Sequence, residues 1–218
     1  MARDPEKTPR RAALRARRRE LAAARSPEAD GSALAEHVLA LVAELGLGPG
    51  SVVTSYAAVP GEPPTAAVNA ALAAHGIRVL LPITLPDLDL DWWEAADAGT
   101  EPTGDAATGT EPTGDAATGA APRPLGRDAV ATADLVLAPG LAVDRTGTRM
   151  GQGGGCYDRV LPRRRPGIPV VVVLHPGELV APDEPPLPRE AHDEPVDAVV
   201  TADGLVDLGL SPWRSPRA

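Results

Sequence analysis

A run of glycines broken by one glutamine, Gly151-Gln152-Gly153-Gly154-Gly155, is preceded by Arg149 and followed at once by Cys156-Tyr157-Asp158. Without side chains at these positions, backbone N–H groups can crowd around an anion, and a helix starting behind them adds its partial positive charge. Arg149 can neutralise phosphate oxygens. Asp158, about one turn into such a helix, can hold Mg2+ against the same phosphate. The chemistry is that of a phosphate cradle, although neither common signature fits. No Lys-Ser/Thr pair follows the glycines, and the position three after Gly153 is Cys156, which breaks G-x-G-x-x-G. A turn that requires positive φ is the plainer reading of the same residues.

Three further groups carry potential chemistry. Cys156 falls at the expected helix start, where a thiolate is favoured and a nucleophile is conceivable. No histidine lies beside it in sequence, and a small buried cysteine is the alternative. His192-Asp193 precedes a strand and reads either as a metal or base-positioning pair or as a solvated turn. Glu62, between Gly61 and Pro63, follows a strand, and open α/β sheets bind ligands at the carboxyl ends of their strands. An exposed loop glutamate is the alternative there.

The elements that must position these groups alternate in type. Residues 6–25 form a basic helix, rich in Ala, Leu, Arg and Glu, whose thin stripe of Leu14 and Leu21 docks on the body. Ser32 caps a second helix that runs to about Leu45. Ser51 to Ala57 reads as a strand, Thr65 to Ala74 as a helix, and Ile77 to Leu81 as a second strand. This βαβ unit implies parallel pairing. Leu88 to Trp92 alternates like a half-buried strand. Asp128 to Asp134 is a helical turn, and Leu135 to Ala138 a strand that leads into the glycine-laden connection 139–155. A helix from Gly155 to Leu161 stops at Pro162. Ile168 to Leu174 is apolar throughout, as a strand buried on both faces would be. Asp197 to Thr201 is the last strand expected. The pattern specifies an α/β domain over 1–218, three layers deep, with a mainly parallel sheet.

Composition narrows the function classes. The chain has 218 residues, 43% of them hydrophobic, and a net charge of −9. Such a chain can bury a core without a staple, and its single cysteine excludes a disulfide framework or a cysteine-based zinc module. No apolar run approaches the ~18 residues of a membrane helix. No apolar stretch follows the N-terminal arginines, so a cytoplasmic location is expected. The first 25 residues carry nine Arg or Lys against Asp4, Glu6 and Glu20, a local balance of +6 within an acidic protein. The decapeptide Thr100–Gly109 (TEPTGDAATG) recurs unchanged at Thr110–Gly119. It is too short for a solenoid repeat and reads as a flexible surface loop over about 98–122.

The residues Pro139-Gly-Leu-Ala-Val-Asp144 and Gly147-Thr-Arg149-Met-Gly151-Gln-Gly-Gly-Gly-Cys-Tyr157-Asp158 together resemble the signature of the 5-formyltetrahydrofolate cyclo-ligase family. So do Arg11-Ala-Ala-Leu14-Arg15, Glu62-Pro-Pro-Thr65 and His192-Asp193-Glu-Pro-Val-Asp197, in the same order along the chain. The resemblance implies a fold like that of the sugar-phosphate isomerase and CoA-transferase group. It also implies ATP- and Mg2+-dependent conversion of 5-formyltetrahydrofolate to 5,10-methenyltetrahydrofolate. Carried over by motif, Arg11 and Arg15 reach the ATP phosphates. Arg149, Gly151, Gln152, Gly153, Gly154, Gly155, Cys156 and Tyr157 form the nucleotide cradle, with Arg149 and Tyr157 taking part in catalysis. Asp158 and Asp193 lie near Mg2+, and Glu62 and Ala57 contact the folate. Arg11 stands where the family usually carries Lys, and Cys156 where it carries an aromatic.

Two other readings use the same residues. A non-catalytic relative could bind RNA through the basic N-terminus, although the acidic remainder and the scarcity of aromatics make nucleic acid a poor partner. A phosphosugar or CoA-ester enzyme sharing only the fold would leave Glu62 and the basic helix without work. The expected working form is a monomer.

Overall fold

The computed structural model describes residues 7–95, 123–190 and 193–210; the decapeptide repeat lies outside them, as does His192. The seven-stranded sheet has the order β3-β2-β1-β4-β7-β8-β9. Its strands are β1 (Val52–Thr54), β2 (Arg78–Thr84), β3 (Leu90–Glu94), β4 (Leu135–Pro139), β7 (Val170–Val173), β8 (Ala198–Thr201) and β9 (Gly204–Asp207). The five central strands pair in parallel, and β3 and β9 close the two edges antiparallel. A mainly parallel sheet is thus what the alternation of elements predicts. The strand expected to be last has a successor, because Ala202-Asp203-Gly204 turns the chain back to lay β9 on β8.

Both faces of the sheet are covered. Helices α2 (Pro27–Glu44) and α3 (Ala66–Ala74) bring Leu34, Val38, Leu41, Val68 and Leu72 onto Val53, Val79, Leu137, Val171 and Val173. On the other face, Val130 from a 3-10 turn (Arg127–Thr132) meets Val136, Val170, Val172 and Trp92. Tyr157, Val160 and Leu161, at the short helix α4 (Cys156–Val160) and the 3-10 turn after it, complete this layer. Valines 170 to 173 alternate between the two cores and are all fully buried. Each such side chain contributes about 1.5–3 kcal/mol, which accounts for the unbroken apolarity of this strand.

Helix α2 begins at Pro27, not after Ser32. Ser26 is the cap and accepts from Ala29 N, Pro27 fills the first helical position, and Glu28 and Asp30 favour the positive helix end. Ser32 lies within the helix and donates to the Glu28 carbonyl. Strand β1 stops at Thr54, three residues before the expected end, because Tyr56 turns its carbonyl towards Thr65 Oγ1 (2.6 Å) and Asn69 Nδ2 (3.2 Å) at the start of α3.

The connection after β4 also contains a hairpin, β5 (Ala142–Val143) and β6 (Arg149–Met150). Asp144 builds its turn. One carboxylate oxygen accepts from Thr146 N, Thr148 N and Thr146 Oγ1, and the other from Leu187 N. Helix α1 (Lys7–Ala23) settles Leu14 against this hairpin, with Leu141, Ala142, Met150, Val180 and Leu187. No described helix is long and apolar enough to cross a membrane.

Candidate active site

Strand β1 has β2 on one side and β4 on the other. The crossover from β1 to β2 runs through α3 on one face, and the approach to β4 runs through the 3-10 turn on the opposite face. The carboxyl ends of β1 and β4 therefore part at a topological switch point, the usual ligand crevice of an open α/β sheet. Thr54, Ser55, Tyr56 and Ala57 leave one lip of that crevice and Gly140 the other.

Hairpin β5–β6 delivers Arg149 and then the glycine loop to this end of the sheet. Gly153 and Gly155 adopt φ of +108° and +69°, which favour glycine. A Cβ at Gly151 would lie 2.7 Å from Arg149 Nη1. At Gly153 the nearest atom to such a Cβ is Arg11 Nε, at 3.5 Å. Arg15, 137 positions away in sequence, donates to both the side chain (2.9 Å) and the carbonyl (2.6 Å) of Gln152. Arg159 donates to the Gly154 carbonyl at 2.9 Å. The structure thus brings Arg11, Arg15, Arg149 and the loop 151–155 together, with Arg159 as a member that sequence reasoning missed. Helix α4 has only five residues, so the loop amides and the guanidinium groups are what this corner offers an anion.

Arg149 is nearly buried and donates to Asp158 Oδ1 at 2.6 Å, while its guanidinium lies 5.6 Å from the centre of the Tyr157 ring. The Tyr157 hydroxyl is buried without a hydrogen-bond partner among the described residues, and burial pushes its pKa far up. Cys156 is half-buried. Burial raises its thiol pKa despite the nearby Arg159, which disfavours a thiolate and favours the buried-cysteine alternative.

Helix α1 lays its polar face along the crevice. Lys7 holds Asp193 at 2.7 Å and Glu190 at 3.2 Å, and these bonds raise its pKa against the cost of burial. One turn further on is Arg11, then Arg15, then Arg18, a spacing that keeps them on one side of the helix. Arg18 is buried in a bidentate pair with Glu178, 2.7 Å at both contacts, and also donates to the carbonyl of Gly140. Glu178 in turn accepts from His175 N at 2.9 Å, and His175 Nε2 lies 3.1 Å from the Gly61 carbonyl. Sequence reasoning missed Arg18, Glu178 and His175. The helical spacing of Arg18 from Arg11 and Arg15 was the available signal for the first; no local pattern marks the other two.

Glu62 is half-buried in the loop after β1, with Val59 N donating to it at 3.3 Å. Burial raises its pKa, outweighing that bond and the charge of Arg18. Its charge adds to the burial that raises the pKa of both the Tyr56 and the Tyr157 phenols. Ala57 lies half-buried one residue beyond Tyr56.

Among the described residues no three His, Cys, Asp or Glu side chains converge to hold a metal. Mg2+ does not need such a cage, since it keeps several waters and takes one or two carboxylates together with substrate phosphates. Asp158 fits that requirement beside the glycine loop. Asp193 is held by Lys7 at 2.7 Å and by Glu190 N at 2.8 Å.

The family model for the 5-formyltetrahydrofolate cyclo-ligase family matches residues 3–202. A protein of Mycolicibacterium smegmatis named 5-formyltetrahydrofolate cyclo-ligase is 33% identical over 166 residues, covering 73% of this chain and 78% of its own. One of the same name from Saccharomyces cerevisiae is 37% identical over 82 residues, 34% of this chain and 36% of its own. Among solved structures, the 5,10-methenyltetrahydrofolate synthetase of Aquifex aeolicus superposes with a TM-score of 0.62 at 22% identity, covering 92% of this chain and 94% of that one. That of Mycoplasma pneumoniae superposes with a TM-score of 0.61 at 15% identity, covering 88% and 98%. The likeness at these identities is one of fold. With a family match spanning nearly its whole length, this chain belongs to the 5-formyltetrahydrofolate cyclo-ligase family, a family of ligases.

Proposed function

We propose that the protein cyclises 5-formyltetrahydrofolate to 5,10-methenyltetrahydrofolate at the cost of one ATP, releasing ADP and phosphate. The observation that carries this reading is the meeting of Arg11 and Arg15 with the loop 151–155. A cationic, glycine-lined corner suits a polyphosphate. A half-buried carboxylate suits the N–H edge of a pteridine, with Ala57 lining the same pocket.

The formyl oxygen is a poor leaving group, and phosphorylation makes it a good one. In the first step that oxygen forms a bond to the γ-phosphorus as ADP departs. In the second, N10 of the folate bonds to the formyl carbon, its proton passes to solvent, and the carbon–oxygen bond to phosphate breaks. The demand on the protein is positioning and charge stabilisation. Arg11 and Arg15 bind the phosphate chain, and Arg149 compensates charge on the transferring group. Tyr157 offers a protonated hydroxyl beside it. Asp158 and Asp193 would hold Mg2+, which when bound screens the phosphate charge. The engagement of Lys7, Arg15 and Arg18 with protein groups argues against an RNA-binding role for the basic helix. The reading is completed by a cytoplasmic, monomeric enzyme acting as one 1–218 unit.

The test is direct. Protein, 5-formyltetrahydrofolate, Mg2+ and ATP should together give methenyl absorbance with stoichiometric ADP, and omission of nucleotide should abolish it. Salt-sensitive RNA binding without turnover would replace this reading with the non-catalytic one.

A further inference from the structure

Strand β1 ends at Thr54, and Ser55 and Tyr56 follow at once; all three side chains are buried, and none of the three hydroxyls has a hydrogen-bond partner among the described residues. A buried hydroxyl without a partner lowers stability, and such groups are rare in folded proteins. Here three sit in a row where the sheet opens at its switch point. Tyr56 is the informative one. Its ring packs with Leu34, Val38 and Val53, a place that Phe would fill equally well. Its backbone carbonyl, already held by Thr65 and Asn69, fixes the residue without help from the hydroxyl. The phenol oxygen therefore has no structural employment within the described fold.

Its surroundings indicate what it meets. The charged and ionisable groups acting on the phenol are Glu62, Arg18, Tyr157 and Glu178, and Glu62 also acts on Tyr157. Arg18 and Glu178 satisfy each other. Glu62, in the same loop as Tyr56 and bonded there by Val59 N, forms no ion pair among the described residues, so it can accept from the adjacent ring N–H and exocyclic amine of a pteridine. The neighbouring carbonyl of that lactam edge then needs a donor. Burial keeps the Tyr56 phenol protonated, so towards a carbonyl oxygen it is the donor.

We propose that Tyr56 is a further substrate-binding residue, its hydroxyl donating to the lactam carbonyl oxygen of the pteridine whose N–H edge lies on Glu62. The proposal rests on the folate reading above and adds to it the residue that distinguishes a 4-oxo from a 4-amino pteridine.

The test compares the parent protein with Tyr56→Phe, which removes one oxygen and keeps the ring. KM for 5-formyltetrahydrofolate should rise about three- to tenfold, the usual consequence of one lost hydrogen bond. KM for ATP should stay within twofold, and the melting temperature should hold or rise. Titration with a 4-amino pteridine, which lacks the carbonyl, separates positioning from a general disturbance. The parent should prefer the 4-oxo ring, and the variant should lose that preference. Equal weakening towards both rings, or unchanged KM, overturns the proposal. Absence of folate turnover in the parent itself would overturn the folate reading, an outcome distinguishable because it needs no variant.

Discussion

Arg18 and Glu178, 160 residues apart, form a two-pronged ion pair with both contacts at 2.7 Å and both side chains almost wholly buried. It fastens the basic helix to the loop after β7 and, through the Gly140 carbonyl, to the lip of the crevice. Breaking such a pair leaves a buried charge without its counterion, a loss of about 3–5 kcal/mol. Glu178→Ala should therefore lower unfolding free energy by that amount in denaturant titration. Arg18→Met with Glu178→Leu together should recover much of it. A loss below about 1 kcal/mol in the single variant would show that water reaches the site.

Asp158 is partly exposed, and its ion partner is Arg149. Asp158→Asn keeps an acceptor oxygen for the nearly buried Arg149 and should leave the protein folded, yet lower turnover at least a hundredfold and raise the Mg2+ concentration needed for half-maximal rate. Unchanged turnover at saturating Mg2+ would remove Asp158 from the metal-binding set.

Glu62 has a folded pKa raised by burial. Between its unfolded value, near 4.3, and the raised one, the native state is the better proton binder. This group's contribution to stability is thus full at acid pH and is lost as pH rises through the folded pKa. Glu62→Gln should gain stability over the parent at about pH 8 and gain little at about pH 4. Folate binding follows the ionised form, so in the parent KM should fall as pH rises through the same window. Parallel stability profiles for the two proteins would contradict the shift.

Asp89 shows the opposite sign. Hydrogen bonds from Arg163 at 2.7 and 2.9 Å, with Leu90 N and the charges of Arg163 and Arg127, hold its pKa down to about 2 against the cost of burial. Its stabilisation is present above the unfolded value near 3.9 and is lost as pH falls through about 2. Asp89→Asn should flatten the acid limb of stability between about pH 4 and pH 2. The effect should reach the glycine loop, because the adjoining Leu88, at φ +63°, accepts from Arg159 at 3.5 Å, and Arg159 also bonds Gly154. A wild-type acid limb in the variant would show that Arg163 and Asp89 do not couple.

Much of this architecture is legible locally. The β-branched run at 170–173 can only be a doubly buried strand. The glycine loop advertises close approach by other groups, and Arg11, Glu62 and the loop share a family pattern. Gly31-Ser32 has the look of a helix start, whereas Ser26-Pro27 carries the stronger cap chemistry and sets the true start of α2. Hairpin β5–β6 is not legible locally because two-residue strands have no periodicity; its one sequence signal is Asp144 followed by Thr146 and Gly147.

What the amino-acid order determined alone is the set of elements, the apolar faces they bury and the anion-binding composition of residues 149–158, since each depends on neighbours within a few positions. Tertiary structure decided which charges meet. Lys7 with Asp193, Arg15 with Gln152 and Arg18 with Glu178 are pairs separated by up to 186 residues. Electrostatic energy depends on distance through space, and only the packing of α1 across the strand ends makes those distances short.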